Sequence, residues 1–102
     1  MEYAIVKTDE YERWLTSFKE QAARDRVLAR VRRLQLGNPG GHKVLGGGLL
    51  ELRIAYGKGI RVYYARHGKR VYLLLGGGDK STQSRDIEAA RKVLEAVREE
   101  RL

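Results

Sequence analysis

The sequence predicts an α+β fold of order β-α-α-β-β-β-α: a mainly antiparallel four-stranded sheet with helices packed mostly on one face. Three observations lead there. Apolar residues recur at a helical period as far as Leu36 and at a period of two from Leu49 onward. Between the two regimes, Gly37-Asn38-Pro39-Gly40-Gly41 is a run that stops a helix. Beyond Leu49, short glycine-containing turns separate successive strand-like runs, as an antiparallel meander requires.

Residues 2–7 are rich in strand formers and end at Thr8-Asp9, so they read as a short first strand. Thr8 or Asp9 can cap a helix, and Glu12 completes a capping-box pattern with Asp9. Tyr11, Trp14, Leu15 and Phe18 form its apolar stripe. A second helix runs from about Glu20 to Leu36, with Val27, Leu28, Val31 and Leu34 on one side. Arg24, Arg26, Arg30, Arg32 and Arg33 follow its other face, which reads as a solvated or partner-binding surface.

In the first meander strand Leu50, Leu52 and Ile54 alternate with Leu49, Glu51, Arg53 and Ala55. Tyr56-Gly57-Lys58-Gly59 makes a turn, after which Ile60, Val62 and Tyr64 alternate with Arg61, Tyr63 and Ala65. His67-Gly68-Lys69 makes the next turn, and Val71–Leu75 is a nearly continuous apolar strand. Gly76-Gly77-Gly78-Asp79-Lys80 is expected to be a loop, with Ser81 or Thr82 capping a last helix striped by Ile87, Ala90, Leu94 and Val97.

The 102 residues suit one domain over 1–102. A chain of this size buries roughly 60–70% of its unfolded surface, enough for one modest core. Hydrophobic residues make up 42% and there is a single proline, so disorder is excluded. No apolar run approaches the ~18 residues of a membrane span, and no signal-peptide core opens the chain, so a cytoplasmic location without membrane contact is expected. With no cysteine there is no disulfide, thiolate metal site or cysteine nucleophile.

The net charge is +8, and +6 of it falls in residues 42–80, where eight basic side chains face only Glu51 and Asp79. A basic excess of this kind attracts polyanions. Alternation places Glu51 and Arg53 on one face of their strand, and Arg61 with Tyr63 on one face of the next. If the helices cover the apolar face, all four stand on the open one. Lys80 joins them from the loop after the last strand, and His42 and Lys43 from the loop before the first meander strand. Converging cations suit a phosphate, arginine above all because its fork matches phosphate oxygens. Glu51 can accept a proton or orient an arginine, and Tyr63 offers a stacking face for a base. RNA carries its own nucleophile, so such a site can cleave it without a metal, and two carboxylates are too few for a two-metal nuclease. The competing interpretation is a solvated sheet face with an ordinary Glu51–Arg61 ion pair. The glycine triplets at 46–48 and 76–78 lack the spacing of a nucleotide-binding loop.

The elements Glu51-Leu52-Arg53, Gly59-Ile60-Arg61-Val62-Tyr63-Tyr64 and Gly76-Gly77-Gly78-Asp79-Lys80-Ser81-Thr82-Gln83, in this order, resemble the RelE/ParE toxin superfamily. The likeness is greatest to its HigB-like branch of phage-derived Gp49-like "addiction module killer" proteins. The resemblance implies a RelE-like fold and the toxin of a type II toxin–antitoxin pair. It further implies a metal-independent mRNA endoribonuclease, ribosome-dependent in its typical form, that inhibits translation. By position it implies that Arg53 and Arg61 contact the scissile phosphate. Lys80 would protonate the leaving oxygen or hold its charge, and Glu51 would be the base or the arginine-orienting group. Lys43, His42 and Tyr63 would bind RNA. RelE-type members carry a catalytic tyrosine in the last helix, where this chain has Asp86. The implied partners are mRNA, the ribosome and an antitoxin of the HigA-like helix-turn-helix type, through which alone operator DNA is contacted; no cofactor is implied. The superfamily also contains ParE-like poisons of DNA gyrase, and a non-catalytic RNA-binding module is a third possibility.

Overall fold

The structure is a computed structural model that describes residues 2–100. Its elements are β1 (Ala4–Lys7), α1 (Asp9–Thr16), α2 (Gln21–Gln35), β2 (His42–Gly46), β3 (Leu49–Ile54), β4 (Ile60–His67), β5 (Val71–Asp79), a 3-10 turn (Lys80–Thr82) and α3 (Gln83–Glu100). The fold is the α+β arrangement expected, except that the sheet has five strands rather than four, in the order β1-β5-β4-β3-β2. β1 runs parallel to β5, and the remaining pairs are antiparallel. The additional strand is β2, in a segment read as a loop. It is an edge strand, largely exposed on both sides, with Val44 69% exposed. A strand that buries neither face leaves no alternation for a sequence to display.

Local chemistry explains the helices. The Thr8 hydroxyl accepts from the Tyr11 N–H at 3.2 Å and donates to the Leu74 carbonyl at 2.7 Å, so one side chain caps α1 and ties it to β5. The N–H groups of Gly37 and Asn38 donate back to Leu34 and Arg33, each at 2.9 Å, and close the end of α2. Of the arginine row on α2, Arg30 turns inward. It donates to the carbonyls of Arg53 (2.6 Å), Pro39 (2.7 Å) and Gly41 (2.9 Å), binding the chain between α2 and β2 to the end of β3.

The core has two halves, one on each side of the sheet. Tyr11, Val27 and Leu34 from α1 and α2 pack on Leu52, Val62, Tyr64 and Leu74. On the other side Ala90 and Leu94 of α3 pack on Leu49, Tyr63, Ala65, Leu73 and Leu75. Two helices therefore share one face, and α3 covers part of the face expected to be open. The unbroken apolar run of β5 fits this, because that strand is buried on both sides.

β5 also runs on through the glycines expected to form a loop. Gly76 sits at φ 150° beside a bulge, where Tyr63 pairs with Gly76 and Tyr64 with Leu74. A β-carbon on Gly77 would come within 2.5 Å of the Trp14 indole, and one on Gly78 would overlap the Asp86 carboxylate. The missing side chains let α1 and α3 approach opposite faces of the same strand.

Candidate functional site

Strand register assembles the site in two cross-strand rows. Lys43, Glu51, Tyr63 and Gly76 form one, and Arg53, Arg61 and Gly78 form the next. Residues opposite one another in antiparallel strands share a face, so both rows lie on the side occupied by α3.

Glu51 is the centre, and it is completely buried. Its Oε2 accepts from Arg53 Nε at 2.9 Å and its Oε1 from Gln83 Nε2 at 2.7 Å. Arg61 Nε lies 3.9 Å from the same Oε1 and has no hydrogen-bond partner. A sealed carboxylate with both oxygens engaged is not placed to meet a substrate hydroxyl; of its two expected roles the geometry serves arginine orientation. Burial of the charge is offset by the cations and the amide that surround it.

The two guanidinium groups differ in access. The Arg53 side chain is 43% exposed and that of Arg61 13%. Lys80 is exposed at the start of the 3-10 turn. Gly59 links it to Arg61, since a β-carbon there would lie 3.5 Å from Arg61 Nη1 and 4.0 Å from Lys80 Cβ. Asp79 caps the turn, its carboxylate accepting from the Ser81 N–H at 2.8 Å. Those hydrogen bonds, chiefly from Ser81, hold the Asp79 carboxyl below its ordinary range.

Two residues expected to bind RNA are placed otherwise than the alternation suggested. Tyr63 is fully buried under α3 and offers no ring face to a base, because α3 occupies the face expected to be open. Its hydroxyl has no hydrogen-bond partner. Burial, followed by the negative charge of Glu51 and Asp86, pushes its pKa well up. His42 is opposite Leu52, which puts it on the α2 side of the sheet, away from the arginines. Its Nδ1 lies 2.8 Å from the Gly40 carbonyl oxygen. Lys43, exposed and opposite Glu51, is on the site's face.

Gln83 and Arg30 were not singled out for the site from the sequence. Gln83 joins the start of α3 to Glu51, and Arg30 holds the Arg53 backbone. The signals for Gln83 are its place at the head of the last helix and at the end of the Gly76–Gln83 run that carries the family resemblance. Asp86, which the resemblance sets against the tyrosine of RelE-type members, accepts from the Thr82 hydroxyl and fills the space over Gly78. The first glycine triplet is clamped rather than free: Arg91 donates to the carbonyls of Leu45 (2.9 Å) and Gly46 (3.0 Å), and Arg98 to that of Gly47 (3.2 Å). Among the described residues, no three His, Asp or Glu side chains are grouped as a metal site needs, and no helix is long and apolar enough to cross a membrane.

A fold of this topology with a basic cluster at one end of the sheet has known relatives. The family model for phage-derived Gp49-like proteins (DUF891) matches residues 13–98, and the chain belongs to that family, a RelE/ParE-like toxin family. An uncharacterized protein of Haemophilus influenzae is 42% identical over 91 residues, which are 89% of this chain and 92% of that protein. A chain in the crystal structure of the toxin–antitoxin complex RelBE2 from Mycobacterium tuberculosis has the same fold. It is 18% identical with a TM-score of 0.51, and the match covers 78% of this chain and 100% of that one.

Proposed function

We propose that the protein is the toxin of a type II toxin–antitoxin pair and acts as a metal-independent mRNA endoribonuclease, on the ribosome, to inhibit translation. The observation that carries this is the opposed register of Arg53 and Arg61 around a buried carboxylate. Like charges directly opposite in a sheet are destabilising, and an ordinary solvated face has no need of a buried acid to hold them together. A phosphate diester is the ligand that two adjacent guanidinium groups suit.

In this scheme Arg53 and Arg61 bind the non-bridging phosphate oxygens and stabilise the charge that grows on them. The 2′-oxygen of the preceding ribose attacks phosphorus, and the bond to the 5′-oxygen breaks. The products are a 2′,3′-cyclic phosphate and a 5′-hydroxyl. Lys80 donates the proton to the leaving oxygen, and the 2′-hydroxyl proton passes to solvent water. Glu51 is a positioning residue that acts through the arginines, and Lys43 adds charge along the strand. An antitoxin, of a helix-turn-helix type that supplies all contact with operator DNA, silences the toxin by covering this basic end. The family assignment and the likeness to a chain of a toxin–antitoxin complex support an antitoxin partner.

Induced expression with mapping of RNA 5′ ends, for the wild type and for Arg61→Ala, is the test. New 5′-hydroxyl ends inside coding sequences with the wild type alone are expected. Growth arrest with DNA breaks and intact mRNA assigns the protein to gyrase poisoning instead, and arrest by both proteins removes Arg61 from the active site.

A further inference from the structure

Three donors approach the Glu51 carboxylate, and they are not treated alike. Arg53 Nε holds Oε2 at 2.9 Å and Gln83 Nε2 holds Oε1 at 2.7 Å. Arg61 Nε stops 3.9 Å from Oε1 and, among the described residues, bonds to nothing although it is buried. A carboxylate offers about four lone-pair sites, so Oε1 has room for a second donor. What keeps Arg61 short is direction rather than valence. With one oxygen tied within β3 and the other to the head of α3, the carboxylate is held from turning toward β4.

The tie to α3 is well supported. Only the NH2 end of the Gln83 amide can face a carboxylate, so chemistry fixes which way it points. The chain around Gln83 is pinned by two further acids: Asp79 accepts from the Ser81 N–H at 2.8 Å, and Asp86 from the Thr82 hydroxyl. Gly78, with no β-carbon, lets Asp86 lie against β5 and so brings the helix head close to the sheet. Arg61, by contrast, is left with an unmet donor. A buried Nε–H without an acceptor is costly to keep, and a movement of about 1 Å would supply one. Its Nη1 instead extends past Gly59, where a β-carbon would lie 3.5 Å from Nη1 and 4.0 Å from Lys80 Cβ.

We infer that Gln83 is a positioning residue for the cleavage reaction: by fixing Oε1 it denies Arg61 a close pair with Glu51 and keeps that guanidinium extended to the phosphate. Without the amide the carboxylate turns, Arg61 Nε closes on Oε1, and the guanidinium draws back by about 1 Å from the growing phosphate charge. A misplacement of that size can cost about 10²-fold in rate. The inference rests on the nuclease reading and adds a residue, outside the arginine pair, that sets the pair's reach.

The test begins on the wild type, with 1H–15N correlation spectra of the arginine Nε–H groups assigned through Arg53→Lys and Arg61→Lys. The Arg53 proton is expected downfield, as a hydrogen-bonded donor, and the Arg61 proton upfield of it. Two equally downfield protons in the wild type overturn the inference before any other variant is made. Gln83→Met then removes the donor while keeping side-chain length and helix preference. It is expected to bring the Arg61 proton downfield to the Arg53 position and to slow single-turnover cleavage by about tenfold or more. Affinity for RNA with 2′-O-methyl sugars, which cannot be cleaved, should change far less than the rate. An unmoved Arg61 proton in a folded Gln83→Met protein overturns the inference, and so does a moved proton with an unchanged rate. Wild-type protein that cleaves no RNA overturns the nuclease reading, an outcome the spectra separate from failure of the hold that Gln83 has on Arg61.

Discussion

Arg53 and Arg61 stand directly opposite each other in the β3–β4 ladder, and the carboxylate between them, Glu51, has no exposed surface. Two like charges at this spacing repel. Glu51 offsets that repulsion through a 2.9 Å hydrogen bond to Arg53 and a 3.9 Å ion pair with Arg61. Gln83 holds the second oxygen, so the head of α3 helps orient the carboxylate that orients the arginines. The site is thus one exposed and one largely buried arginine on a buried anionic support.

Removing one arginine should cost activity but not the fold. Arg61→Ala and Arg53→Ala are each expected to slow RNA cleavage by about 10²–10³-fold, the usual cost of losing one donor to a developing oxyanion. Arg61→Lys should recover little, because an ammonium lacks the planar fork. Cleavage rates paired with circular dichroism check this; a folded double variant with the wild-type rate would remove the pair from the active site.

Removing the support should cost both. Glu51→Leu leaves two opposed guanidinium groups without their counter-charge, and breaking such a buried set costs about 3 kcal/mol. For a domain this size each kcal/mol shifts Tm by about 4–8 °C. Adding Arg53→Met should restore part of the stability and none of the cleavage. A Glu51→Leu protein that melts with the wild type would show that the carboxylate supports nothing.

Gly78 and Asp86 should behave as one unit. Gly78→Ala places a methyl group where the Asp86 carboxylate lies and is expected to destabilise by about 1–3 kcal/mol. In the background of Asp86→Ala the same change should cost much less. A double-mutant cycle from urea unfolding measures that coupling, and additivity within about 0.5 kcal/mol contradicts the contact.

Alkaline pH should unfold the protein cooperatively. Burial raises Tyr11 and Tyr64 to about 12 and raises Tyr63 as well, against about 10 in an unfolded chain. Their contribution is therefore complete below about pH 10 and is lost as pH rises toward the folded values. Tyrosinate absorbance and circular dichroism should change together above about pH 10; ionisation of these residues with the fold intact would refute it. Tyr63→Phe removes a buried hydroxyl without a partner and should raise stability at neutral pH by about 1 kcal/mol.

Much of this molecule was legible as sequence because periodicity and capping are local. The stripe of Tyr11, Trp14, Leu15 and Phe18, the alternation in β3 and β4, and the spacing of Arg53, Arg61 and Lys80 each follow from residues near one another in the chain. Those spacings also carried the family likeness. Alternation shows that residues share a face, but what covers that face is a long-range matter. Only the tertiary structure put α3 over Tyr63 and Glu51, turned His42 to the other side, and made an edge strand of His42–Gly46. It also carried β5 through three glycines, whose missing side chains mattered only once Trp14 and Asp86 came to rest against them. A sequence records which side chains can be buried; packing decides which are, and so leaves Arg53 exposed while it covers most of Arg61 and all of the acid between them.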